Sequence, residues 1–419
     1  MRALPQDRPY RFHPPRVRPW LRPALRWLNR RLFLENKYRV AEIDCRGLEA
    51  VQAAVAAGDA VVLAPNHADH ADVHVLYEVL CGASLDPRFV GARELFDGGL
   101  VDAFALQSAG VFSVDRDSAD LAAVKTALTI LEEERCPLVI YPEGEIYHHH
   151  EWLDPLHDGA AAILLRAAKR LPAPSAAKLF PLAFRFTWDP SVRATFAPRL
   201  SALERRIGWK PREELPVVER LLRLGAGVLA SKEVEFFGET TSGPAMLHER
   251  IERLWDSLLA DVACRRGGDA RAVTAPERVR SLRSRLRRAL LDGENPPGET
   301  ERRALYDDLE RVRVAHQAYS YPGSYLASHP SEDRIAETLM KLEEDLTGEC
   351  TYPVPRTACL VVGEPFDVSA MLRAGECQGR LAALELTGRL EKRLTEMLGG
   401  ECGEGLPAAP AAAIVPADA

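Results

Sequence analysis

Short apolar runs alternate with helical patterns along residues 58–198, and this alternation restricts the chain to an α/β architecture. The runs that predict strands are 61–64, 88–91, 138–141 and 179–186. Between them, one helical period is kept by four apolar residues, Leu121, Val124, Leu128 and Leu131. Asp117 is the predicted N-cap of that helix, and another helix is expected after Asp158. Strands that alternate with helices are typical of a sheet covered on both faces, so we predict a mixed sheet flanked by helices.

A different pattern fills most of the second half of the chain. Helical periods appear at 214–231, 244–263, 276–291, 300–317 and 332–347, almost without strand patterns, and an apolar run with a turn follows at 357–366. We therefore predict an α/β domain over 41–200 and 355–400, interrupted by a long α-helical insertion over 201–354. Residues 401–419 are rich in alanine and proline, and we expect them to be disordered.

The first forty residues form a basic arm. They hold eleven arginine and lysine residues against two acidic residues, although the whole chain has a net charge of −7. Four leucines at helical spacing, with tryptophans nearby and arginines on another stripe, predict an amphipathic helix: Leu21, Leu25, Leu28 and Leu32. Such a helix suits an anionic membrane surface, so residues 16–39 are predicted to contact one. The alternative is that these leucines pack on the protein's own core.

Several classes of protein are excluded by what the sequence contains. It has no apolar run of 18 or more residues, and its arginine- and proline-rich start does not resemble a secretory signal. The eight cysteines include no CxxC pair, so reduced thiols are expected. We predict a cytoplasmic protein, peripheral to the membrane, with no nucleic-acid partner. The sequence leaves its oligomeric state open.

Residues 66–72, with the sequence Asn-His-Ala-Asp-His-Ala-Asp, contain a candidate proton-accepting pair. His67 can take a proton near pH 7, and Asp72 can hold the imidazole in one tautomer. The pair follows the run 61–64, and open α/β sheets bind ligands at the carboxyl ends of their strands. On a continuous helix the two side chains would point apart, so pairing requires His67 in a loop and Asp72 in the first helical turn. An ordinary helix cap beside a surface histidine is the alternative.

We expect no metal ion at the histidine-rich segments. The order of histidines and aspartates over 67–74 does not match the H-x-H-x-D-H metal motif, and adjacent side chains of the triplet 148–150 cannot easily converge on one ion. This triplet is predicted to be a solvated loop.

Three more segments complete a pattern. They place Arg116 after Gly110 and Phe112, Glu143 and Gly144 after the run 138–141, and a proline, Pro181, in the run 179–186. With Asn66 and His67, these blocks resemble the four ordered motifs of the glycerolipid acyltransferase family, of the 1-acyl-sn-glycerol-3-phosphate acyltransferase type: NHxxxxD, GxxFxxR, a PEG-containing block and a strand proline. The resemblance covers about 58–190 and, more weakly, 359–366.

The resemblance implies an enzyme that moves a fatty acyl group from acyl-CoA or acyl-carrier protein to a lipid hydroxyl, with no further cofactor. His67 would be the general base and Asp72 its orienting residue. Arg116 would bind the acceptor's phosphate, a task suited to a planar guanidinium. The resemblance assigns the remaining matched residues to the substrate site: Asn66, Gly110, Phe112, Glu143, Gly144 and Pro181.

Two departures from the family pattern bear on the acceptor. Phe112 stands one place earlier than the family's aromatic residue, and Glu145 and Ile146 replace the threonine and arginine of an EGTR block. The second departure removes an expected phosphate contact, for which Lys125, Arg185 or Arg93 are candidate replacements. The acceptor therefore stays open. Two other functions also stay open, a non-catalytic lipid-binding or scaffold protein and an acyl thioesterase or transacylase.

Overall fold

A computed structural model describes residues 9–240, 246–269 and 272–399, which divide into two compact units. The α/β unit contains 11–115, 120–192 and 351–399. The helical unit contains 9–10, 116–119 and the described part of 193–350. The predicted disordered tail, 401–419, and the first eight residues of the basic arm lie outside the described residues.

Among the described residues, eight strands of the α/β unit form one sheet: β1 (Val40–Arg46), β2 (Ala60–Pro65), β3 (Arg88–Ala92), β4 (Val111–Val114), β5 (Leu138–Val139), β6 (Ala177–Trp188), β7 (Arg356–Val362) and β8 (Phe366–Asp367). Their order across the sheet is β1-β7-β6-β2-β5-β3-β4, and β8 pairs with β6. The pairings among β2 to β6 are parallel, whereas β7 runs antiparallel to β6 and parallel to β1. The predicted fold class, a mixed sheet flanked by helices, is confirmed.

The helices of the α/β unit that precede β6 are α1 (Arg22–Leu28), α2 (Leu48–Ala56), α3 (Asp72–Gly82), α4 (Leu100–Ser108), α5 (Leu121–Thr129) and α6 (Gly159–Ala168). Helix α1 continues as a wider π-type helix over Asn29–Lys37, and α5 continues in the same way over Ile130–Glu134. Short 3₁₀ turns lie at Pro19–Leu21, Arg93–Phe96 and Pro190–Val192.

The helical unit contains α7 (Arg193–Arg206), α8 (Val217–Phe237), α9 (Leu247–Arg266), α10 (Ala275–Leu290), α11 (Glu299–Tyr319), α12 (Tyr325–Ser328) and α13 (Glu332–Thr347). Five of these overlap the helical periods of the sequence. α7 begins ahead of the predicted insertion and carries Pro198 inside it. The chain then returns to the α/β unit with β7 and β8, followed by α14 (Val368–Arg373) and α15 (Ala382–Gly399).

Apolar side chains of the central strands form the core of the α/β unit. Fully buried residues from the strands pack with residues of α6 and α15, among them Val62, Ala64, Leu138, Leu179, Leu164 and Leu390. Burying one such leucine or valine side chain contributes about 1.5–3 kcal/mol. Because β2 lies between β5 and β6 in this core, the loop that follows β2 starts from a fixed position.

The N-cap residue of α5, the helix after β4, differs from the prediction. Asp120, not Asp117, is the N-cap of α5, and its Oδ1 accepts a hydrogen bond from the Ala123 N–H at 2.9 Å. Asp117 instead pairs with Arg283 at 3.0 Å and with Arg287 at 3.3 Å, both in α10. The predicted cap, Asp117, is therefore engaged in ion pairs, and Asp120 caps the helix.

Several apolar side chains of the basic arm are exposed, whereas Leu21 and Leu25 are half-buried and Leu34 is buried. Trp27 is 61% exposed and Leu32 is 52% exposed. Arg22 and Arg26 form ion pairs with Asp86 at 2.5 Å and with Glu78 at 2.9 Å. The alternative in which the leucines pack on the core is therefore wrong for Leu32. None of the helices in 9–240, 246–269 and 272–399 combines the length and the apolar character needed to cross a membrane.

Candidate active site

His67 and Asp72 form a contact at the carboxyl end of β2. His67 lies in the loop after Pro65, and Asp72 is the first residue of α3. Nδ1 of His67 lies 3.1 Å from Oδ2 of Asp72, and the N–H of Asp69 donates to the same oxygen at 3.0 Å. The N-cap position of α3 is Ala71, so Asp72 is not an ordinary cap. The structure thus has the loop-and-helix geometry that the five-residue spacing requires.

The Asp72 carboxyl group is completely buried, with an exposed fraction of 0%. Burial and then the negative charge of Asp69 raise the pKa of Asp72 well above its usual range. Two titratable groups in direct contact titrate together, so the proton affinities of Asp72 and His67 depend on each other. The arrangement can accept a proton at His67 and hold it through Asp72.

Asn66 fixes the loop that carries His67. Its Oδ1 accepts a hydrogen bond from the Phe184 N–H at 2.6 Å, and its Nδ2 donates to the Phe184 carbonyl at 3.2 Å. Asn66 is buried, and Pro181 is a buried residue of β6 paired with Ala64 of β2. The structure therefore gives both predicted substrate residues a place in the framework around His67.

Glu143 supports the same loop from the segment after β5. The side chain is 2% exposed, and its Oε1 accepts a hydrogen bond from the His67 N–H at 2.6 Å. Its Oε2 accepts from the Asp154 N–H at 3.2 Å. Burial and then the charge of Asp154 raise the pKa of Glu143 well above its usual range. Glu143 thus connects two loops through hydrogen bonds, whereas the family resemblance assigns it to the substrate site.

Gly144 occupies a turn that a larger residue would strain. Its φ is +76°, and a Cβ atom there would lie 3.1 Å from the ring of His157. Positive φ at close approach to a side chain is the situation in which glycine is required. The glycine of the third block thus allows the turn that brings Glu143 under the His67 loop.

Tyr141 is a site residue that the sequence interpretation missed. Its ring centroid lies 4.1 Å from that of His67, with an angle of 30° between the planes. Within the described part of the chain, its buried hydroxyl has no hydrogen-bond partner. Burial and then the charge of Asp72 raise its pKa. The available signal was an aromatic residue directly before Pro-Glu-Gly.

The histidine triplet is buried, so the prediction of a solvated loop is wrong. His148, His149 and His150 are all among the buried residues. Nε2 of His149 lies 2.7 Å from Oδ2 of Asp154, whose N–H binds Glu143. The triplet is buried because its loop folds back on the Glu143 segment, a contact that no local pattern reveals.

The second block is divided between the two units. Gly110 has φ +91°, and a Cβ atom there would lie 2.7 Å from the Pro87 carbonyl oxygen. Phe112 is buried in the core of the α/β unit. Arg116 belongs to the helical unit, so its placement beside His67 stays a prediction.

Two of the three candidate replacements for the missing phosphate contact, Arg185 and Arg93, have acidic partners in the α/β unit. Arg185 is buried and donates to Glu151 at 2.9 Å. Arg93 is also buried and lies 3.8 Å from Asp115. Lys125 is exposed on α5. Arg185 therefore already has a counter-ion of its own.

Part of the chain matches the model of a known protein family. Residues 42–185 match the family model named Acyltransferase, a segment that runs from β1 into β6 and includes His67, Asp72, Arg116 and Glu143. A search of curated proteins finds no match. The family match supports acyltransferase activity in general terms.

Proposed function

We propose that this protein transfers a fatty acyl group from acyl-CoA or acyl-carrier protein to a hydroxyl group of a lysophospholipid or glycerolipid. The observation that carries the proposal is the His67–Asp72 contact of 3.1 Å at the end of β2. It lies within the segment that matches the Acyltransferase family model.

The proposed reaction uses the pair as a general base. Because Nδ1 of His67 contacts Asp72, Nε2 is the nitrogen that would take the proton from the acceptor hydroxyl. The hydroxyl oxygen attacks the thioester carbonyl carbon, forms a C–O bond and yields a tetrahedral intermediate. Its collapse breaks the C–S bond, and the imidazolium returns the proton to the departing thiolate. A positioned base contributes about 10²–10⁴-fold to such a rate.

Arg116 is the proposed phosphate-binding residue for the acceptor. A guanidinium can donate two parallel hydrogen bonds to a phosphate, which favours an acceptor that carries one. Glu145 and Ile146 stand where the family pattern has threonine and arginine, so the acceptor class includes lysolipids other than a lysophosphatidate. We propose no metal ion and no cofactor besides the thioester.

We further propose that the segment 16–39 lies on an anionic membrane surface, where the acceptor resides. Trp20, Trp27, Leu28 and Leu32 are all exposed, which supports insertion of this face among lipid headgroups. The ion pairs of Arg22 and Arg26 hold the helix on the α/β unit, so membrane contact would fall to the apolar side chains and the remaining basic residues.

The test of the proposed function is a transfer assay with labelled acyl-CoA and a panel of lysolipids. The expected result is acyl transfer by the native chain and a loss of about 10²–10⁴-fold or more in kcat/KM for His67→Ala. His329→Ala, which removes an exposed histidine, is the matched control and keeps full activity. Retained turnover in His67→Ala contradicts the proposal. Release of free fatty acid alone indicates a thioesterase, and binding without turnover indicates a lipid-binding protein.

A further inference from the structure

A buried arginine contacts the loop that carries the candidate base. Arg356, the first residue of β7, donates from its two terminal nitrogens to both oxygens of Asp69, each at 2.8 Å. Both side chains are buried, with Arg356 2% exposed. A bidentate arginine–carboxylate pair is the strongest geometry that such a contact can take.

Aromatic rings and a backbone carbonyl hold the Arg356 guanidinium in one position. It lies 4.3 Å from the ring centroid of Phe186, 4.4 Å from that of Tyr352 and 5.2 Å from that of Trp188. Its Nε donates to the Tyr38 carbonyl at 2.8 Å. Contacts of this kind between a cation and ring faces stabilise a desolvated guanidinium, so the charge stays in place.

Asp69 connects Arg356 to Asp72 through hydrogen bonds. The Oδ1 of Asp69 accepts a hydrogen bond from the Ala71 N–H at 2.7 Å, which closes a tight turn. In that turn the N–H of Asp69 donates to the Asp72 oxygen that also contacts His67. Arg356 therefore fixes the backbone donor on one side of the candidate catalytic pair.

Arg356 also acts through its positive charge on Asp69 and Asp72. Burial alone would raise the pKa of Asp69, but the charge and hydrogen bonds of Arg356 prevail and lower it to about 2. Asp69 is thus ionised beside Asp72, and its charge raises the pKa of Asp72 while that of Arg356 lowers it. Other titratable groups around Asp69, Asp72 and Arg356 come from three elements. They are Tyr141, Glu143 and His148 from the segment after β5, His74 from α3, and Tyr352 from the segment before β7.

We propose that Arg356 is a positioning residue for the His67–Asp72 pair, fixing the Asp69 turn and setting the charge around the pair and hence its proton affinity. This inference rests on the proposed function. It also means that β7, which follows the helical unit in the chain and lies beyond the segment matched by the family model, supplies a residue to the site.

The test is a charge cycle at the two positions, read in the acidic limb of the pH profile of kcat/KM. Asp69→Asn removes a negative charge near the pair, so the limb shifts to lower pH by about one unit. Arg356→Met removes a positive charge, so the limb shifts to higher pH by about as much. The double variant restores the net charge, and its limb returns to the native position. Opposite shifts that cancel distinguish charge setting from general damage.

Arg356→Lys separates position from charge. It keeps the positive charge but cannot make the bidentate contact, so we expect an unmoved acidic limb with a several-fold lower kcat. Circular dichroism and thermal unfolding establish that each variant is folded. If one single variant unfolds, the shift of the other single variant and its reversal in the double variant, which leaves no unpaired buried charge, still test the inference.

A second readout is independent of turnover. The imidazole signal of His67 is assigned by its absence in His67→Ala. It is then titrated by NMR in the native chain, Asp69→Asn, Arg356→Met and the double variant. If the native chain transfers no acyl group, the proposed function fails, and this titration still tests Arg356. Three titrations that overlay the native curve, or single variants that shift in the same direction, overturn the inference.

Discussion

Asp72→Asn tests whether the buried carboxylate acts through its charge. The imidazole of His67 lies 3.1 Å from this carboxylate, and the Asp72 side chain has no exposed surface. With about 4 Å between charge centres and an effective dielectric constant of about 20, their attraction in the protonated state is about 4 kcal/mol. Each 1.36 kcal/mol corresponds to a tenfold change in rate, so the substitution should lower kcat/KM by about 10³-fold.

The charge pair forms only when His67 takes the proton, so the loss should fall on kcat and leave KM nearly unchanged. The assay is steady-state acyl transfer from labelled acyl-CoA to the best lysolipid of the panel. Asp367→Asn is the matched control, because Asp367 caps α14 through a hydrogen bond of 2.7 Å from the Ala370 N–H. Asparagine preserves the size of the side chain at both positions.

A loss in Asp72→Asn smaller than about tenfold, in a folded protein, would refute the reasoning. Asp72 would then act as a support for the loop, through its bond from the Asp69 N–H. Equal losses in Asp72→Asn and Asp367→Asn would point to destabilisation of the α/β unit, which thermal unfolding of both variants measures directly.

Two further predictions concern stability and membrane contact. Because burial and then Asp154 raise the pKa of Glu143, its contribution to the free energy of unfolding is greatest below about pH 4.5 and is lost as pH rises. Glu143→Gln should remove this part of the fall in the free energy of unfolding with rising pH, which urea unfolding across a pH series measures. A fall as large as in the native chain contradicts the prediction. Replacing Trp27 and Leu32 with serine should weaken binding to phosphatidylglycerol vesicles by about tenfold or more. Leu121→Ser is the exposed control, and equal losses in both variants contradict membrane contact through 16–39.

The strands that the sequence predicts are those whose side chains are mostly buried. β2 and β6 appear as mostly apolar runs because nearly all of their side chains are buried. β1 lies at the edge of the sheet, and its Glu42 and Arg46 are exposed, so no apolar run marks it. β4 is a four-residue strand at the opposite edge, where the Ser113 N–H donates to the His13 carbonyl.

The candidate site divides in the same way between local and distant causes. His67 and Asp72 are five residues apart, so their contact depends on local geometry, and the sequence states the condition for it: His67 in a loop and Asp72 in the first helical turn. Arg356 and Asp69 are 287 residues apart, and Arg283 and Asp117 are 166 residues apart. Such pairs depend on how the strands and helices pack. The sequence therefore indicates the candidate reacting groups, whereas the residues that hold them in place are found only in the folded structure.

The position of β7 in the sheet determines when the sheet can be completed during synthesis. In the sheet it lies between β1 and β6, yet it leaves the ribosome after the whole of 193–350. Until then β1 has no strand neighbour, and one edge of β6 is open to pairing with other nascent chains. Pairing across such a separation is slow. Chains that stop ahead of Arg356 are therefore expected to aggregate or remain bound to chaperones, because β7 has not yet joined β1 to β6.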